Sequence, residues 1–161
     1  MPLMSCWPND GQTQALTEAV VLDASAILAW RDRHPRAHEL VEPVLAGALL
    51  CAVNGAEVRY KAADSGDDPD ALIRDLLALG VVIVPFADDH ARHVPTLRDI
   101  DRASRFAQKS TSGGRRKSLS LADLSCLALA MEENARVITG DGHWSTLTEH
   151  GLTVSVSDYR R

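Results

Sequence analysis

The run Ala19-Val20-Val21-Leu22 ends at Asp23 and passes at once into Ala24-Ser25-Ala26. Four apolar residues without alternation read as a short strand buried on both faces, and a carboxylate stands at its carboxyl end. The same grammar recurs along the chain. Leu49-Leu50-Cys51-Ala52-Val53 is a weaker strand candidate, Val81-Val82-Ile83-Val84 the clearest, Arg136-Val137-Ile138-Thr139 another, and Leu152-Thr153-Val154-Ser155-Val156 the last. Helical stretches separate them: Ala24 to about Arg33, Pro35 to Ala46, Asn54 to Ala63, and one opened by Pro69 and ended by Gly80. A long helix capped by Asp88 or Asp89 runs to about Lys109, another runs from Ser120 to Asn134, and a short one ends at Gly151. Short apolar strands alternating with helices predict an α/β fold in three layers, a central mainly parallel sheet flanked by helices. Residues 19–161 form one domain. Residues 1–18, polar and carrying Pro2, Pro8 and Gly11, read as a loose tail, although Trp7 offers a docking residue.

Composition narrows the function. At 161 residues the chain is long enough for one real core. A net charge of -5 argues against non-specific coating of nucleic acid. Aromatic residues are 4% of the chain, so the core must come from Leu, Val, Ile and Ala. Cys6, Cys51 and Cys126 are odd in number and none sits in a C-x-x-C, which argues against a disulfide framework and a cysteine zinc site. No apolar run reaches the ~18 residues needed to span a bilayer, and the N-terminus lacks the pattern of a signal peptide. A cytoplasmic protein is expected.

Ligands of open parallel sheets bind beyond the carboxyl ends of the strands. Asp23 follows the first strand and Asp141 follows Val137-Ile138-Thr139. Glu57 is placed on the first turn of the helix after the second strand, and Asp123 on the first turn of the helix starting near Ser120. Each has a local explanation. Asn54-x-x-Glu57 and Ser120-x-x-Asp123 match capping boxes, Asp23 can cap the next helix, and Asp141 between glycines is an ordinary turn residue. As a converging set they would repel one another, and a divalent cation would remove that cost. An all-oxygen donor set suits Mg2+ or Mn2+.

The segments 21–26, 52–58, 120–130 and 139–144 resemble the four motif blocks of PIN-domain ribonucleases, and their order and spacing look like the VapC-type toxins of VapBC toxin–antitoxin pairs. The resemblance covers about residues 19–158. It implies that Asp23, Glu57, Asp123 and Asp141 are catalytic and hold Mg2+ (or Mn2+), that Ser25 supports the site, and that Asn54 and Thr139 lie near it. It further implies a metal-dependent endoribonuclease with an RNA substrate, a cognate antitoxin partner and a homodimeric state. Two departures stand out. His143 occupies a place where the family often has a more basic residue, and the stretch from Arg98 to Ser118 is longer and more basic than in a compact member.

Arg98, Arg102, Arg105 and Lys109 fall on one helical face, continued by Arg115, Arg116 and Lys117. That stripe could bind RNA phosphates, or be a solvated face, since Asp99 and Asp101 interleave with it. His34 with His38, and His90 with His93, lack the Glu of a zinc-protease motif and read as surface histidines. Trp30 and Trp144 read as packing residues, and Ser25 has no His partner for a hydrolase triad. Three rivals remain. A receiver-like module would want an acidic pair and a late Lys. A phosphatase of the haloacid-dehalogenase type would want Asp where Ser25 stands. A PIN fold with RNA-processing or plain RNA-binding duty is separated from a toxin only by assay or genomic context.

Overall fold

The computed structural model describes residues 18–112 and 118–161, the side chains of 109–112 excepted. The expected tail, apart from Glu18, and residues Arg115, Arg116 and Lys117 of the expected basic loop therefore lie outside the described residues. Five strands form one sheet, all neighbours parallel: β1 (Val20–Leu22), β2 (Leu49–Cys51), β3 (Val82–Val84), β4 (Arg136–Thr139) and β5 (Val156–Asp158), in the order β3-β2-β1-β4-β5. Successive side chains of β1 serve opposite faces, as the strand period of two requires. Val20 and Leu22 pack with α1 (Ala24–Arg31), α2 (Pro35–Val41) and α4 (Ala71–Ala78), whereas Val21 packs with α6 (Val94–Ser112) and α7 (Leu121–Glu132). The remaining helices are α3 (Ala52–Asp64), α5 (Asp88–Ala91) and α8 (Trp144–Leu147). The expected three-layer α/β architecture is what forms. Trp144, Cys51 and Cys126 are fully buried packing residues.

Several boundaries differ from expectation, for local reasons. Pro43 stops α2 at Val41, and a 3-10 turn over Glu42–Val44 takes its place. The long helix expected from Asp88 is two helices, α5 and α6. Pro95 cannot sit inside a continuous helix, so the break falls just ahead of it and Pro95 lies on the first turn of α6. Ala87, not Asp88 or Asp89, is the N-cap of α5. The last strand begins at Val156 because Leu152 is used first, its amide closing the helical turn onto the Leu147 carbonyl. Gly80 stops the α4 segment as expected, at φ +94° and against the Cα of Ala46. The run chosen as the clearest strand, β3, is an edge strand with Val82 49% exposed. Among the described residues no helix is long and apolar enough to cross a membrane.

Candidate functional site

Asp23 sits where β1 ends at the centre of the sheet, its amide donating to the Ile138 carbonyl of β4 at 3.0 Å. It occupies the N-cap position of α1, yet its side chain makes no capping hydrogen bond. The carboxylate is held instead by three side chains. Ser25 Oγ donates to Oδ2 at 2.5 Å, Thr139 Oγ1 to the same oxygen at 2.9 Å, and Asn54 Nδ2 to Oδ1 at 3.2 Å. Both hydroxyls also accept. The Gly140 amide donates to Ser25 Oγ at 2.9 Å, and the Asp141 amide donates to Thr139 Oγ1 at 3.1 Å. The two hydroxyls thus tie the Asp23 carboxylate to the turn that carries Asp141. Asp141 caps that turn itself, its Oδ1 accepting from the His143 amide at 2.9 Å.

Glu57 arrives differently from expectation. Cys51 ends β2 and is at once the N-cap of α3, so the helix starts at Ala52 with no loop between. Asn54 is therefore the third helical residue and Glu57 lies on the second turn. No Asn54–Glu57 capping box forms, and Asn54, fully buried, turns toward Asp23. At α7 the capping box does form. Ser120 Oγ accepts from the Asp123 amide at 3.1 Å, and Asp123 Oδ2 accepts from the Ser120 amide at 2.7 Å. Capping and cleft lining are compatible in this residue.

All four carboxylates line one cleft of about 430 Å³, together with Ser25, Leu28, Lys61, Gly140 and Arg160. Burial pushes the Asp23 carboxyl above its ordinary value; the Ser25 and Thr139 hydrogen bonds pull it back, and Asp123 pushes it up again. Burial also raises Glu57, reinforced by Asp23 and Asp123. Asp123 is raised by burial against its Ser120 hydrogen bonds, with Asp141 and Asp101 adding to the rise. Each of these three groups faces the negative charge of another, which is the repulsion a divalent cation relieves. The donor set is all oxygen and fits such an ion. Among the described residues no three Asp, Glu, His or Cys side chains already stand as ligands around one point.

Among the described residues of the expected basic stripe, Arg98, Arg102 and Arg105 do not line the cleft. Arg102 pairs with Asp99 at 3.0 Å, Arg105 Nε with Asp101 at 3.1 Å, and Arg98 donates to the Leu119 carbonyl at 3.4 Å. Asp101, which interleaves with the stripe, is fully buried. Its Oδ2 also accepts from the Leu119 amide at 3.4 Å, and its Oδ1 lies 3.6 Å from His143 Nε2. It therefore stands between the start of α7, which carries Asp123, and the turn that carries Asp141. Lys61, Arg160 and Asp101 were not anticipated. Lys61 could have been, since it follows Glu57 by one helical turn; Arg160 follows the last strand and carries no local signal. His34 caps α2, its Nδ1 accepting from the Ala37 amide at 3.4 Å. His90 is buried and caps α5, so it is not a surface histidine; His93 pairs with Glu132 at 2.8 Å.

Residues 20–149 match the PIN domain family. No curated protein matched the sequence. Similar solved structures include VapBC2 from Rickettsia felis bound to a DNA fragment from its promoter, with a TM-score of 0.62 and 14% identity over 87% of this chain and 98% of that one. A toxin–antitoxin complex from Klebsiella pneumoniae gives 0.63 and 16% over 88% and 98%. FitAcB from Neisseria gonorrhoeae gives 0.58 and 20% over 88% and 99%. At these identities the likeness is one of fold. On the family match, which spans most of its length, the chain belongs to the PIN domain family.

Proposed function

We propose that this protein is a Mg2+-dependent endoribonuclease and the toxin of a VapBC-type pair. The observation that carries the proposal is the convergence of Asp23, Glu57, Asp123 and Asp141, from four separate segments, on one cleft at the carboxyl ends of the strands. Membership of the PIN family and the toxin–antitoxin complexes among its structural neighbours support it. A bound Mg2+ or Mn2+ supplies a nucleophilic water at neutral pH and offsets charge on the phosphoryl oxygens. Asp23, Glu57 and Asp123 would hold that ion, directly or through its waters. Asp141, set on the turn opposite, would orient the attacking water or a second ion. Ser25, Thr139 and Asn54 fix the Asp23 carboxylate and so do part of the positioning in advance.

In such a pair the protein would be silenced by an antitoxin and would act on RNA when released; a homodimer is part of the same proposal. The test is cleavage of single-stranded RNA by the purified chain with Mg2+. Asp23→Asn keeps the shape and removes the charge, and its rate should fall by at least about 10–100-fold, the cost of losing even an outer-shell partner of a metal site. Equal rates for that variant and the wild type under matched metal would reject the assignment. Growth arrest on expression, relieved by a small DNA-binding protein encoded next to the gene, would establish the toxin role. No arrest and no such neighbour would leave RNA processing as the function.

A further inference from the structure

Two cations line the acidic cleft and have no part in holding its carboxylates. Lys61 and Arg160 both face it. Neither forms an ion pair among the described residues, whereas Arg102 and Arg105 of the α6 stripe are each matched by an aspartate. Lys61 lies one helical turn beyond Glu57 on α3, close enough for its charge to act on the Glu57 carboxyl against burial and the neighbouring acids. Its Nζ stands 5.2 Å from the centre of the Tyr60 ring. Arg160 is fixed from the other side. Its amide donates to Asp158 Oδ1 at 2.9 Å, and its guanidinium lies 5.7 Å from the ring centre of Tyr159. Tyr159 is anchored in turn, its hydroxyl donating to the Ser25 carbonyl at 3.3 Å and its amide to the Thr139 carbonyl at 3.1 Å.

Sheet order sets these cations on opposite flanks of the site. α3 springs from β2 and Arg160 follows β5, while β1, ending at Asp23, and β4, ending before Asp141, lie between them. Cations at both ends of a row of carboxylates suit a ligand whose negative charge repeats along its length. We propose that Lys61 and Arg160 are the phosphate-binding residues of the cleft, each taking a phosphate of single-stranded RNA on either side of the bond presented to the carboxylates. This rests on the nuclease reading and specifies how its substrate is held. Arginine offers a planar fork that matches phosphate oxygens, and lysine a compact charge.

The experiment measures binding of a single-stranded RNA to the full chain in the Asp23→Asn background, across a salt series, with Lys61→Gln, Arg160→Gln and both. Each single variant should weaken binding about tenfold and make the slope of log K against log salt shallower by about 0.7, the increment for one phosphate contact on a single strand. Arg160→Lys should restore most of the slope, which a merely structural role would not do. Mn2+ affinity of the RNA-free protein should not fall in Lys61→Gln. In the cleavage-competent chain, KM for RNA should rise more than kcat falls. An unchanged salt slope in the double variant overturns the proposal, even if the wild type cleaves RNA. So does a loss confined to affinity for a partner protein. A wild type that binds RNA with the expected slope changes but never cleaves it would overturn the nuclease reading and leave the phosphate contacts standing.

Discussion

Asp23 shows how much of this site is set by single hydrogen bonds. One buried carboxylate receives Ser25, Thr139 and Asn54, and the two hydroxyls pass the constraint to the amides of Gly140 and Asp141. Ser25→Ala removes a donor from a buried charge and an acceptor from the Gly140 amide. Leaving such groups unsatisfied costs about 1–3 kcal/mol. Urea denaturation of the metal-free protein should show that loss, and a change within error would mean that Ser25 is not a structural link. Gly140 itself admits no side chain. A Cβ there would meet the hydroxyl and ring carbons of Tyr159 far inside van der Waals contact. Because Tyr159 is held by the Ser25 carbonyl and the Thr139 carbonyl, the ring cannot simply swing away. Gly140→Ala should therefore cost about 1–3 kcal/mol, as overpacking does. A melting temperature equal to that of the wild type would show that the β4–β5 corner is looser than this geometry. Asp23, Asp123 and Asp141 were visible in the sequence because each stands at a strand end or a helix start, whereas Glu57 was picked out on a helix start that the structure moves to Ala52. Their polar partners were visible only in part. Ser25, Asn54 and Thr139 were placed near the site by family resemblance, and nothing in spacing alone says that Asn54 faces Asp23.

Among the elements, α7 carries a local rule and a functional group in the same residue. Ser120 and Asp123 satisfy one another's backbone amides, and this fixes the helix end and the Asp123 carboxylate together. Ser120→Ala should lower stability by about 0.5–2 kcal/mol, the usual cost of losing such a cap. It should also weaken Mn2+ binding, because Asp123 loses its tether. Ser120→Thr keeps the oxygen and should recover most of both. If the alanine variant loses stability and keeps its metal affinity, the cap and the site are independent. The capping box was readable from Ser120-x-x-Asp123, whereas the identical pattern at Asn54-x-x-Glu57 misled. The reason is the strand before it: Cys51 ends β2 and starts α3 without a loop, so the helix begins two residues ahead of Asn54. Strand rank was not legible either. Val81-Val82-Ile83-Val84 is as apolar as Ala19-Val20-Val21-Leu22, yet the first run forms the edge and the second the centre. Apolar content sets how much a strand can bury, and the helices packed on it decide how much it does. The helix breaks at Pro43 and Pro95 follow from proline's missing amide and its clash with the preceding turn.

On the scale of the whole molecule, the fold concentrates negative charge at one rim of the sheet in a chain that is already net -5. Asp23, Glu57 and Asp123 all have raised carboxyls, burial being the first cause in each. The sign of the linkage follows. A carboxyl whose folded value lies above its unfolded one adds stability that is complete below the unfolded value, near pH 4, and is lost as pH rises through the folded value. Asp68 and Glu132 shift the other way, held down by Arg74 and His93, but both are exposed and oppose the trend only weakly. The metal-free protein should therefore lose the cluster's contribution as pH rises above about 4. A divalent cation binds the deprotonated cluster and reverses the loss, by about 2.7 kcal/mol at a hundredfold excess over its Kd. The rise in melting temperature from EDTA to millimolar Mg2+ or Mn2+ should grow between about pH 4.5 and about pH 7.5. Asp23→Asn should melt above the wild type in EDTA at the upper pH, having one charge fewer to repel, and should gain little from metal. A metal increment that is the same at both pH values, or undiminished in Asp23→Asn, would mean that the four carboxylates share a cleft without sharing a cation.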